Sequence, residues 1–204
     1  MIPTATHSRQ ILPGVWHWSV FSPHHKVELA SSAIRTRSGW WIFDPIPLHS
    51  SGEIFLLGEP IAGIVLTNAN HERNAQSLAA RWKTTIWANP DAHLNFKVIP
   101  TSETSSLLQE DWAVVSVPGG ALGETVFHLA EKALLVIGDA VVNLPERGLE
   151  LLPEKYCEDQ IRLRQSLLLL PECEHALFAH GTPIIGNAYK KLQALWQTPS
   201  NLDS

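Results

Sequence analysis

Residues 61–73 read IAGIVLTNANHER. Ile61 to Leu66 is a compact apolar run without polar alternation, the pattern of a strand buried on both faces. It stops at Thr67-Asn68. From His71 to Trp82 the apolar residues Ala75, Leu78, Ala79 and Trp82 then fall on one helical stripe. A buried strand that hands over to a helix through a polar turn is the unit of a layered α/β structure. The polar turn matters as much as the strand, because binding and catalytic groups collect on loops held by a rigid scaffold.

Upstream, Val15 to Phe21 (VWHWSVF) alternates apolar and polar residues like a half-buried strand. Leu29–Thr36 and Trp40–Phe43 follow, with Arg37-Ser38-Gly39 as a hairpin turn between them. Asp44-Pro45 ends the second of these, since proline cannot extend a central ladder. Downstream, the pattern predicts strands at Thr85–Ala88, Trp112–Val117, Thr125–Leu129, Ala133–Ile137 and Ala176–Ala179. Helices are predicted over Asp159–Leu169 and Asn187–Gln197. Trp16 and Trp18 share one strand face, whereas Trp40 and Trp41 point to opposite faces. Most of the eight tryptophans are expected in the core, with Trp18 or Trp41 as candidates to line a pocket.

The 204 residues suit one domain, expected over 1–204. Apolar residues make up 45% and charged residues 17%, the balance of a packed globular chain. The net charge of -5, with no basic block, argues against nucleic acid or an anionic membrane as partner. Residues 1–10 lack the charged and apolar regions of a signal peptide, and no apolar run is long enough to span a bilayer. Cys157 and Cys173 match no zinc or redox spacing and read as free thiols, so the expected location is cytoplasmic. No Gly-x-Ser-x-Gly, phosphate-loop or paired-cysteine zinc motif is present.

Four strand ends carry the polar residues: Thr67 to Arg73, Pro118-Gly119-Gly120, Gly138-Asp139 and His180-Gly181. In this order they resemble the metallo-β-lactamase superfamily. That family places a Thr-His-x-His-x-Asp-His run after a buried strand, then a Pro-Gly-His turn, a Gly-Asp and a late His-Gly. The resemblance runs from about Val15 to Trp196. It implies a four-layer αββα sandwich, two mixed β-sheets flanked by helices, of the α/β (α+β) class.

Thr67 fixes the register. Asn68 and Asn70 then fall on the first two family histidines, Glu72 on the aspartate and Arg73 on the third histidine. Gly120 falls on the turn histidine, Asp139 on the bridging aspartate and His180 on the last histidine. Asp44 matches an early aspartate near the site. The departures are chemical. Asn68, Asn70 and Gly120 offer no imidazole, so the resemblance implies that the family's first metal site is absent. Glu72, Asp139 and His180 remain as metal ligands for one divalent ion (zinc, manganese or iron), or for none. His71 enlarges the set if the loop turns inward, and otherwise starts the helix at the surface. Arg73 cannot ligate a cation. Its charge is expected to replace the lost metal by pairing with Asp139 and Glu72.

Two functions are compatible with these residues. The first is a divergent metal-dependent hydrolase of a small ester, thioester or lactone. Asp139 acts as ligand and orienter, and the amides of Asn68 and Asn70 hold water or a substrate carbonyl. The pocket is completed by Arg73, His71, Asp44 and Gly120. The second is a catalytically inactive module that binds a small ligand or regulates. A small molecule is the expected partner in both, and the strand edge near Trp16 and Trp18 is a candidate homodimer interface. His24 and His25 form an adjacent pair in an early loop, where relatives place residues over the substrate. His17, His49, His93, His128 and His175 show no ligand spacing.

Overall fold

A computed structural model describes residues 2–53, 56, 58–102, 108 and 111–197. Its first sheet takes the chain in sequence order. The strands are β1 (Arg9–Leu12), β2 (Val15–Ser22), β3 (Val27–Thr36), β4 (Gly39–Phe43), β5 (Ile61–Val65), β6 (Ile86–Ala88) and β7 (Ile99–Pro100). The first four pair antiparallel through tight turns. From β4 onward the pairing is parallel, and helix α1 (Ala75–Trp82) makes the crossover between β5 and β6.

The second sheet contains β8 (Ala113–Ser116), β9 (Thr125–Leu129), β10 (Leu134–Ile137), β13 (His175–Phe178) and β14 (Ile184–Ile185), in the spatial order β14-β13-β10-β9-β8. Only β10 and β13 are parallel. The segment joining them holds the hairpin of β11 (Val141–Leu144) with β12 (Gly148–Leu151), then helix α2 (Gln160–Leu167). Helix α3 (Ala188–Gln197) follows β14.

Side-chain alternation explains the layering. On β4, Trp41 and Phe43 face one way, and on β10 so do Leu134 and Val136. With Phe127 and Leu177 they fill the space between the sheets. Trp40 and Ile42 face the other way and join Ile64, Ala75 and Leu78 under α1. Leu135 and Ile137 turn outward on the second sheet, to Leu163, Leu167 and Leu192 of α2 and α3. The order is therefore helix, sheet, sheet, helices, the αββα sandwich expected from the sequence. The two cores beneath the helices and the one between the sheets account for the alternating apolar runs.

Trp16 and Trp18 pack on the α1 side of the first sheet. Trp18 is 3% exposed, with its indole N–H donated to the Ile46 carbonyl. Trp41 is fully buried between the sheets. Both are therefore core residues rather than exposed pocket walls. Strands β1, β7, β11, β12 and β14, of two to four residues each, were not anticipated. Helix α1 starts at Ala75 rather than His71. Ala69–His71 forms a separate 3-10 turn, and Arg73 takes a φ of 44°, outside the helical region. Among the described residues, no helix is long and apolar enough to cross a membrane.

The parallel pairs β4–β5 and β10–β13 send their carboxyl ends to one edge of the sandwich. Backbone bonds join the two sheets there. The amide of Ala30 donates to the Ala179 carbonyl at 2.8 Å, and that of Thr125 to the Thr67 carbonyl at 2.8 Å.

Candidate metal centre

The site is built on Asp44, the residue after β4. Its φ of 46° is left-handed, a conformation aspartate tolerates better than most residues. The carboxylate is buried and accepts the backbone N–H of Thr67 at 2.9 Å and the Thr67 hydroxyl at 2.7 Å. Thr67 ends the buried β5 run. Asn68 then caps the 3-10 turn, its Oδ1 accepting the Asn70 amide at 2.9 Å. The turn brings His71 back beneath Thr67, four residues earlier. His71 Nδ1 lies 2.8 Å from Thr67 Oγ1 and 3.1 Å from Asp44 Oδ2. The threonine has spent its only proton on Asp44, so His71 Nδ1 must be the donor.

The second sheet supplies the other half. Asp139 follows β10, and His180 lies just beyond β13. His180 Nδ1 sits 3.1 Å from the Glu28 carbonyl, which can only accept, so this nitrogen also carries the hydrogen. Both Nε2 atoms therefore face inward, and each presents a lone pair there when its ring is neutral. They lie 3.4 Å apart, and Asp139 Oδ1 lies 3.2 Å from that of His71 and 3.1 Å from that of His180.

Three acceptors in mutual contact, with neutral rings, repel unless a cation sits among them. A tetrahedral zinc ion with bonds near 2.0–2.1 Å spaces its ligands about 3.3 Å apart. The three donor atoms match that spacing, and each ring's second nitrogen is anchored as a metal-binding histidine's is. The residues present therefore fit one divalent cation with a coordination position left open.

Burial alone would lower His71, but the Asp139 and Asp44 carboxylates outweigh it and raise the ring to about 9. Burial works against the charge of Asp139 too, yet His71 and His180 hold its carboxyl well below the usual range. His180 is lowered, chiefly by burial. Without a metal, a proton on His71 is thus the cation that the acceptors share.

The structure brings Asp139 and His180 together as the register anticipated. It adds His71, 2% exposed, as the third donor. Glu72, expected as a ligand, does not join them. The turn rotates its carboxylate away, to accept the Gln76 amide on α1. Helical spacing could have found this: Thr67 and His71 are four apart and share a face, while residue 72 is turned by about 100°.

Arg73 points inward but does not form the pair expected with Glu72 and Asp139. Its Nη1 donates to the carbonyls of Ala30 at 2.6 Å and Asp44 at 2.8 Å, and its Nη2 to that of Ala179 at 3.1 Å. Asn70 is exposed and donates to Asp139 Oδ2 at 3.3 Å. Asn68 is buried, and its Nδ2 donates to Glu124 at 2.8 Å. Glu124 was missed by sequence reasoning. It is 2% exposed, and burial, reinforced by the charge of Asp139, pushes its carboxyl up to about 8. Its signal was faint: a lone acid at the head of the apolar Thr125–Leu129 run.

The chain matches no protein-family profile and no curated protein by sequence. Solved structures do match. DIM-1 metallo-β-lactamase superposes with a TM-score of 0.71 at 17% identity, over 98% of this chain and 100% of the other. A metallo-β-lactamase from Pontibacter korlensis gives 0.69 at 16% identity, over 95% and 99%. A β-lactamase domain protein from Burkholderia ambifaria gives 0.68 at 16% identity, over 92% and 74%.

Proposed function

We propose that this chain, which has the metallo-β-lactamase fold, is a metal-dependent hydrolase. It uses a single divalent ion, held by His71 Nε2, Asp139 Oδ1 and His180 Nε2, and cleaves a small ester, thioester or lactone. The observation that carries the reading is the convergence of three acceptor atoms, 3.1–3.4 Å apart, with both rings locked by their outer nitrogens. A divalent ion bound there supplies Lewis acidity and lowers the pKa of water toward neutrality. The two-imidazole, one-carboxylate set accepts zinc, iron or manganese, and zinc is the first to test.

The chain's own groups take distinct roles. Asp44 holds His71 in the tautomer that presents Nε2, and the Glu28 carbonyl does the same for His180. Asn70, at the exposed rim, fixes Asp139 Oδ2 and has further amide capacity for a substrate carbonyl. Asn68 faces Glu124 and is 1% exposed, so the substrate-holding amide is that of residue 70 alone.

The test combines metal analysis with turnover. After purification with zinc present, wild type is expected to hold close to one equivalent and to cleave at least one of an aryl ester, a thioester or a lactone. His71→Ala and Asp139→Ala are expected to lose both the ion and turnover. Bound metal below about a tenth of an equivalent would falsify the reading. One equivalent of metal with no turnover of any of these bonds supports the binding-module alternative instead.

A further inference from the structure

Glu124 belongs to none of the roles assigned above, yet it is among the most enclosed ionisable groups of the described residues. It sits one residue before β9 and is 2% exposed. Its Oε2 accepts Asn68 Nδ2 at 2.8 Å, and its Oε1 accepts the backbone N–H of Ala140 at 3.1 Å. Asn68 heads the turn that carries His71, and Ala140 directly follows Asp139. One carboxylate thus ties together the two segments whose donor atoms must meet.

The side chain also fills a defined space. A Cβ placed on Gly120 would come within 2.9 Å of Glu124 Cγ, and one on Gly138 within 2.6 Å of Glu124 Oε1. Only glycine at both positions admits the carboxylate. Around it, donors stand where lone pairs would be needed to hold a cation. Asn68 turns its N–H inward, its Oδ1 being occupied by the Asn70 amide, and position 120 has no side chain at all. An amide N–H aimed at a metal ion is repulsive, so this half of the site does not fit an ion.

We propose that Glu124 takes the structural place of a second metal ion. It clamps the His71 turn to the Asp139 loop and limits the centre to one ion, at His71, Asp139 and His180. The proposal rests on the single-ion reading above. Glu124 is a positioning residue here and touches no reacting atom.

The experiment is a zinc titration of the metal-free full chain against a chromophoric competitor, repeated with cobalt to record its visible absorption. Wild type, Glu124→Gln and the double variant Asn68→Asp/Glu124→Gln are compared. Wild type is expected to bind one equivalent. Glu124→Gln offers one acceptor oxygen to two donors, so its NH2 must face either Asn68 Nδ2 or the Ala140 N–H. It is expected to weaken zinc binding about 10–100-fold and to shift the cobalt bands. The double variant moves the carboxylate to the other end of the same hydrogen bond, and is expected to recover affinity and bands. Metal-free melting temperatures separate lost positioning from lost folding.

Two tightly bound equivalents in wild type would overturn the proposal, as would a Glu124→Gln protein with unchanged affinity and spectrum. If that variant does not fold, the wild-type stoichiometry decides. A wild type that binds no zinc is a different result: it removes the metal-centre reading itself.

Discussion

At position 71 the preceding turn decides that a ring, and not the neighbouring carboxylate of Glu72, enters the site. Asp44 then decides which nitrogen of that ring faces inward. Asp44→Asn keeps the shape but can present an N–H to His71 Nδ1. The expected result is a 10–100-fold loss of zinc affinity with a near-native circular dichroism spectrum. His17 offers a pH test away from the centre. It is 3% exposed, with Nδ1 3.3 Å from Ser32 Oγ. Burial, with Arg9 nearby, lowers it to about 4. The folded value lies below the unfolded one of 6.5, so protons bind the unfolded chain first. The contribution is intact above pH 6.5 and is lost as pH falls toward 4, about 3 kcal/mol in all. Denaturant titrations of wild type and His17→Gln should differ in slope against pH over that window and run parallel above it. The sequence showed Asp139, His180 and Asp44 at strand ends. It offered His71 only conditionally, if its loop turned inward, and it hid Glu124, because a 3-10 turn and an acid folded over a glycine depend on contacts from the other sheet.

At the level of elements, the strand-end loops are packed closely enough that single atoms matter. Gly138 joins β10 to Asp139 with no room for a methyl group. A Cβ there would lie 2.5 Å from Thr67 Oγ1 as well as against Glu124. Gly138→Ala is therefore expected to cost about 1–3 kcal/mol of stability and to abolish zinc binding. An unchanged melting temperature together with full zinc occupancy would refute this. Strands β2, β3, β4, β9 and β10 could be read in advance, from alternation or, as in the four-residue β10, from a compact apolar run. The hairpin of β11 with β12 could not. Its strands have four residues each, with mixed burial, and their place is fixed by bonds such as Asn143 N–H to the His180 carbonyl at 3.1 Å.

Across the whole molecule, the apolar periods gave the strands and helices and the family resemblance implied their αββα order, but how the sheets meet at the site was not legible. The three donors come from both sheets, so an ion bound by all of them joins the two halves of the sandwich. Zinc at about 100 times its dissociation constant is expected to add about 2.7 kcal/mol to stability. For a chain of this size that is a rise of about 5–11 °C in melting temperature. Asp139→Ala should show no such rise. A melting temperature indifferent to zinc in the wild type would contradict an ion shared between the sheets.

The guanidinium of Arg73 bears on what happens when that ion is taken away. It grips the carbonyls of Ala30, Asp44 and Ala179, which lie on both sheets, and it needs no cofactor to do so. A chelator should therefore empty the centre without unravelling the chain, leaving near-ultraviolet dichroism intact. The fold would then outlast the loss of the proposed ion, and reloading would require no refolding.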